Sequence, residues 1–184
     1  MTAALSVRTP RLELIAATLE LLEAELAGPQ ALGALLGVSV PDSWPPGEYD
    51  HEALDFFLSR IFTFGPSVVG WYNWYAILVG ADGRRESLVA GAGYLGPPME
   101  ELVEIGYSVV PEARGRGFAT EIVQGLVTRA LAVDAVQTVV AHTLASNATS
   151  QGVLKRAGFL AAGPGMEPGV LRFERSRSAR RGRA

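Results

Sequence analysis

The densest chemistry in the chain lies in Val109-Val-Pro-Glu-Ala-Arg-Gly-Arg-Gly-Phe-Ala-Thr120. A strand ends there, a glycine-rich turn follows, and a helix begins. A helix start carries unpaired backbone N–H groups and about half a positive charge. Gly115 and Gly117 let backbone come close to a ligand, and Arg114 and Arg116 add charge and bidentate reach. Together these make a cradle for phosphate. A nucleotide P-loop needs Gly-Lys-Ser/Thr at its end, and none is present. A dinucleotide fingerprint needs Gly or Ala three residues after Gly117, where Thr120 stands. Taken by itself, the segment also reads as a plain glycine turn with exposed arginines.

Other chemistries are excluded by what is missing. The 184 residues contain no cysteine, so disulfides, thiolate metal sites and a cysteine nucleophile are ruled out. The two histidines, His51 and His142, share no metal-ligand spacing. No metal is expected. With 48% hydrophobic and 19% charged residues, most of the chain is not intrinsically disordered. Neither a membrane-length apolar run nor a signal peptide is apparent, which reads as a soluble, cytoplasmic protein without membrane partners. Residues 172–184 hold six arginines and one acid, a net +5, which leaves −8 on the other 171. A basic tail on an acidic body argues against nucleic-acid binding as the main task, apart from weak contact through that tail. Lysine occurs once, at 155, and this arginine-rich usage suggests a GC-rich bacterial genome.

The elements that must position the turn follow from periodicity. Strands are predicted over 11–15, 74–79, 88–95, 102–110, 138–143 and 170–174. Helices are predicted from Thr18 to Gly28, then over 30–36, 50–64, 118–132 and 147–157. Residues 40–47, Val-Pro-Asp-Ser-Trp-Pro-Pro-Gly, form a proline-rich loop. The order βααα-βββ-α-β-α-β points to one mixed α/β or α+β domain over residues 1–174, with 175–184 as a disordered basic tail.

The sequence resembles the GNAT superfamily of N-acetyltransferases. Their acyl-CoA signature, Arg/Gln-x-x-Gly-x-Gly/Ala, is matched by Arg114-Gly-Arg-Gly117-Phe-Ala119. Within it, the chain looks like the branch related to the RimJ/RimL acetylases of ribosomal-protein N-termini. The matching stretches are Arg8-Thr-Pro-Arg-Leu-Glu-Leu14, Val103-Glu-Ile-Gly-Tyr107, Gly117-Phe-Ala-Thr-Glu121, and Asn147-x-x-Ser150 with Lys155-Arg-Ala-Gly-Phe159.

The resemblance implies a mostly antiparallel mixed sheet with helices on both faces. The sheet would splay between the strands flanking the acyl-CoA-binding helix. It implies acetyl-CoA as co-substrate, its pyrophosphate held by Arg114, Gly115, Arg116, Gly117, Phe118 and Ala119. Backbone N–H groups near Val109 and Val110 would hold the thioester and face the developing oxyanion. An amine would attack directly, without an acyl-enzyme. Asn147 aligns with an asparagine that contacts CoA in many relatives, and it also suits a helix N-cap.

The family's usual acid, a tyrosine seven residues after that asparagine, is replaced here by Leu154. Ser150 is the alternative acid, or a first-turn serine satisfying backbone. An α-amine, with pKa about 7.7–8.0, needs little help to lose its proton, whereas a lysine amine at about 10.4 needs more. Glu104 is the first candidate base and His142 the second. Both also read as ordinary strand residues. Glu121 suits the helix dipole and the turn arginines.

For the acceptor, Trp44 in the proline loop and Tyr107 are the expected contacts. The acids Asp42, Glu48, Asp50 and Glu52 near that loop would draw in a cationic amine, or form a solvated surface. The leading expectation is transfer of an acetyl group to a primary amine, on a protein N-terminus or a small molecule. A catalytically degenerate acyl-CoA sensor and a partner-binding module using the arginine tail are the competing functions. The sequence names neither the acceptor nor the oligomeric state, and a homodimer stays open.

Overall fold

The computed structural model describes residues 5–47 and 49–177. Its frame is one eight-stranded sheet, in the order β1-β2-β3-β4-β5-β6-β8-β7. The strands are β1 (Ser6–Arg8), β2 (Leu12–Ala16), β3 (Asn73–Val79), β4 (Arg85–Tyr94), β5 (Leu102–Val109), β6 (Thr138–Leu144), β7 (Leu160–Pro164) and β8 (Val170–Ser176). Every neighbouring pair is antiparallel except β5 and β6. That parallel pair is short. It holds only at Leu102–Thr138, Val103–Val139 and Glu104–Val140, and the strands then diverge.

Helices cover both faces, as a sheet buried on both sides requires. On one face lie α4 (Phe118–Leu131) and α5 (Ala148–Arg156). The buried stripe of α4, Phe118, Ile122, Val123, Leu126, Val127 and Ala130, has the spacing of one helix side and packs on β2 to β6. On the other face lie α1 (Leu19–Ala27), α2 (Pro29–Leu36) and α3 (His51–Phe64), over Ile15, Tyr75, Ile77 and Leu88. Thr18 and Asp50 cap α1 and α3 by accepting from Leu21 N and Ala53 N.

Two strands were not predicted. β1 has three residues, too few for a period. β7 is Leu-Ala-Ala-Gly-Pro, whose small residues read as turn. It is fully exposed and lies at the sheet edge, where a proline is tolerated. The domain boundary also moves beyond 174. Strand β8 runs to Ser176, the Arg175 guanidinium donates to the Ala157 carbonyl, and Arg177 donates to the carbonyls of Val133 (2.7 Å) and Val136 (2.9 Å). Arg175 and Arg177 are therefore structural, while residues 178–184 of the expected tail lie outside the described residues.

Candidate active site

Divergence of β5 from β6 opens a cleft of about 750 Å³ between them, with the start of α4 at its wide end. The turn is built for close approach. Gly115 (φ 73°) and Gly117 (φ 82°) are left-handed, and an added Cβ would meet nothing within 4 Å at Gly115 and only an Arg11 nitrogen at 3.5 Å at Gly117. Glycine is required there by backbone conformation rather than by packing. The first N–H of this helix to find a backbone acceptor is that of Glu121, on Gly117. Among the described residues, the N–H groups of Gly115 through Thr120 have none. Six consecutive donors at a helix start, with Arg114 and Arg156 lining the same cleft, suit an elongated anion. Arg156 was not anticipated, because a cation in the last turn of a helix ordinarily only complements the dipole.

Of the residues expected to hold a cofactor, Val109, Arg114, Gly115, Gly117, Phe118, Ala119 and Asn147 line the cleft. Asn147 also caps α5 by accepting from Ser150 N at 3.0 Å. Val110 does not line it. It is 2% exposed, and its N–H donates to the Val89 carbonyl. The Arg116 side chain is also absent from the lining, with its guanidinium 4.7 Å from the centre of the Phe118 ring. Arg114 pins the turn back to β5, donating from Nε to the Val109 carbonyl at 3.0 Å.

Behind the turn stands a brace between the chain's start and α4. The Glu121 carboxylate accepts from the Thr9 hydroxyl (2.7 Å), the Arg11 backbone N–H (2.7 Å) and the Arg11 guanidinium (2.8 Å). Arg11 also donates from Nη1 to the Arg116 carbonyl at 3.0 Å, and its guanidinium lies over the Phe118 ring. Burial alone would push the Glu121 carboxyl up, but these donors outweigh it and hold the group below its ordinary value. Glu121 thus engages Arg11, and not the turn arginines expected from the sequence.

Two hydrogen-bonded side-chain pairs flank the cleft. Glu104 stands at the last paired position before the splay, and its Oε1 lies 2.7 Å from His142 Nδ1 on β6. The two candidate bases are thus one carboxylate–imidazole pair, which orients the ring toward the cleft it lines. On the far side, the Tyr107 hydroxyl is 2.8 Å from Ser150 Oγ. Burial raises the Tyr107 phenol, and the bond to Ser150 offsets part of that. Leu154 is fully buried in the core.

Beyond β5, a second cavity of about 300 Å³ shares Gly106, Tyr107 and Ser108 with the cleft. Its outer wall is set by a half-buried carboxylate. Glu25 accepts from Trp44 Nε1 (2.7 Å), the Tyr49 hydroxyl (2.7 Å) and the Tyr75 hydroxyl (2.6 Å). Asn73 Nδ2 donates to the Tyr49 hydroxyl at 2.9 Å. Burial raises the Glu25 carboxyl despite these donors. Trp44 therefore lines neither cavity. Its indole N–H is committed to Glu25, and its ring packs on Tyr49 and Tyr75. Tyr49 reaches the second cavity in its place. Of the loop acids, Asp50 caps α3, Asp42 and Glu52 line neither cavity, and Glu48 lies outside the described residues. No group of three or more His, Asp or Glu among the described residues is placed to hold a metal, and no described helix is long and apolar enough to cross a membrane.

The acetyltransferase (GNAT) domain model matches residues 19–160, and the chain belongs to that family. It is 29% identical over 155 residues, 84% of this chain and 89% of the other, to the uncharacterized N-acetyltransferase YjdG of Bacillus subtilis strain 168. Its fold matches the acetyltransferase from Agrobacterium tumefaciens strain C58 at TM-score 0.62 and 20% identity, covering 96% of this chain and 97% of that one. It also matches RimL, the ribosomal L7/L12 alpha-N-protein acetyltransferase crystallised with coenzyme A, at TM-score 0.63 and 19% identity, covering 94% and 98%.

Proposed function

We propose that this protein is an acetyl-CoA-dependent N-acetyltransferase acting on a primary amine by direct attack in a ternary complex. The observation that carries this reading is the row of six acceptor-free N–H groups from Gly115 to Thr120, opening on the cleft between diverging strands. These donors and Arg114 would hold the pyrophosphate, while Val109 and Asn147 would line the path of the pantetheine arm. When bound, acetyl-CoA supplies a thioester whose acetyl group passes to the amine nitrogen as the C–S bond breaks and CoA leaves as its thiol.

The chain's own residues handle the protons. The Glu104–His142 pair sits at the apex of the splay, where His142 Nε2 is free of the Glu104 bond to take the amine proton. The Ser150 hydroxyl, hydrogen-bonded to the Tyr107 phenol, would protonate the departing thiolate. A thiol pKa near about 8.5 means that only modest assistance is needed.

Calorimetry with acetyl-CoA on the wild type and on Gly117→Trp, followed by thiol release with a panel of amines, tests the reading. Binding abolished by the substitution, with turnover of at least one amine, is the expected result. Binding without turnover would turn the protein into an acyl-CoA sensor. No binding by either protein would sink the assignment of the cradle.

A further inference from the structure

The second cavity is lined by three tyrosines, and none of their hydroxyls is free to meet a ligand. The Tyr49 hydroxyl donates to Glu25 and accepts from Asn73. The Tyr94 hydroxyl donates to the Leu126 carbonyl at 2.6 Å. The Tyr107 hydroxyl is taken up by Ser150 on the cofactor side. What these residues offer the cavity is ring surface, joined by Phe57 and Leu95.

The floor is glycine. Gly91 pairs with Ser108 across β4 and β5, and Gly93 pairs with Gly106. Two of the three glycines have packing reasons. A Cβ on Gly91 would press on the Tyr49 ring at 3.2 Å, and one on Gly93 would lie 2.0 Å from the Tyr72 carbonyl oxygen. Gly106 has no such reason. Its φ is not left-handed, and the nearest atom to an added Cβ is a Leu95 methyl at 3.8 Å. Space is kept there that the fold does not need.

We infer that this cavity is the acceptor pocket and that it selects a small primary amine whose substituent is compact, uncharged and non-polar. The inference rests on the acetyltransferase reading above. The volume, about 300 Å³, equals that of roughly ten water molecules, so it holds about ten non-hydrogen atoms. That size fits a single aromatic ring on a short carbon chain and sits at the lower limit of small-molecule sites. The Glu104 side chain shares the strand face of Gly106 and Ser108, two and four residues along β5, which puts the Glu104–His142 pair toward the amine end of the occupant. The proline-rich loop runs beside this wall, since Gly47 lines the adjoining cleft and a Cβ on it would lie 2.8 Å from the Ser108 hydroxyl oxygen. A long peptide continuing from the substituent would have to pass this loop or α3.

The test compares kcat/KM for 2-phenylethylamine, isopentylamine, putrescine, glucosamine and two short peptides, with seryl and phenylalanyl N-termini, at saturating acetyl-CoA. The phenyl and isopentyl amines are expected to lead putrescine and glucosamine by about tenfold or more, because only their substituents gain from leaving water. Ala53→Leu, from α3, lines this cavity and not the cleft. It should cost the phenyl amine about tenfold or more in kcat/KM while the smaller isopentyl amine loses less. Gly106→Val is the second variant and should show the same order from the opposite wall. Preference for putrescine or glucosamine, turnover of the peptides alone, or insensitivity of both variants to acceptor size would overturn the inference while leaving the enzyme reading intact. Bound acetyl-CoA with no amine acetylated would overturn the enzyme reading itself.

Discussion

Two glutamates organise the two walls of this site, and they do so by opposite physics. Glu121 is met by a guanidinium, and its carboxyl is held low. Glu25 is met only by neutral donors, two phenols and an indole, and burial pushes its carboxyl up. The first ties charge to charge near water and braces the glycine turn at the start of α4. The second buries a carboxylate among aromatic rings and fixes three of them at once. A cofactor wall can be made from backbone and ion pairs. A wall that must present apolar surface needs its polar atoms consumed elsewhere.

The comparison breaks hardest at the turn itself. Gly117→Asp keeps a residue that tolerates positive φ but puts a carboxylate among the free N–H groups, and acetyl-CoA affinity should fall by about 100-fold or more on calorimetry. Glu25→Ala comes next. It leaves two buried phenols and a half-buried indole without an acceptor, and thermal or denaturant unfolding should show a loss of about 3 kcal/mol or more. Arg11→Met, which removes the brace and keeps most of the stem, should weaken acetyl-CoA binding by about tenfold and leave acceptor KM nearly unchanged.

The smallest effect separates the two carboxylates by sign. The Glu121 carboxyl is lowered from 4.5, so its stabilisation is complete above that pH and fades as pH falls through the folded-state value. The Glu25 carboxyl is raised from 4.5, so its contribution is complete below that pH and is lost as pH rises through the folded-state value. Stability profiles of Glu121→Gln and Glu25→Gln should therefore differ from wild type with opposite slopes across the acidic range. Parallel slopes would mean that the two environments are not the opposites described.

The same contrast explains what was legible in the sequence. The cradle was readable because its parts are consecutive: a strand end, two glycines and a helix start within a dozen residues. The caps at Thr18 and Asn147 and the stripe of α4 were readable for the same reason. The Glu25 cluster was not, because its partners lie 19, 24 and 50 residues away and nothing in their spacing joins them. An aromatic-rich loop does not reveal which ring turns inward: Tyr49 lines the second cavity and Trp44 does not. Glu104 and His142 were found separately, and only the short parallel pairing of β5 and β6 brings them together. Leu154 marks the absent family tyrosine, but the bond between Ser150 and Tyr107, which lies on a strand 43 positions earlier, carries no local signal.

The three residue pairs that join β5 to β6 have a mechanical meaning. Among the described residues they are the only ladder linking the strands of residues 6–109 to those of residues 138–176. Each half-sheet keeps its own antiparallel hydrogen bonds, and α4 is the splint laid across the seam. Shortening the seam by one pair would widen the mouth, and lengthening it by one would close the space beside His142. The molecule's capacity for a long, thin ligand is thus set by where two strands stop holding hands, a property of register rather than of any side chain.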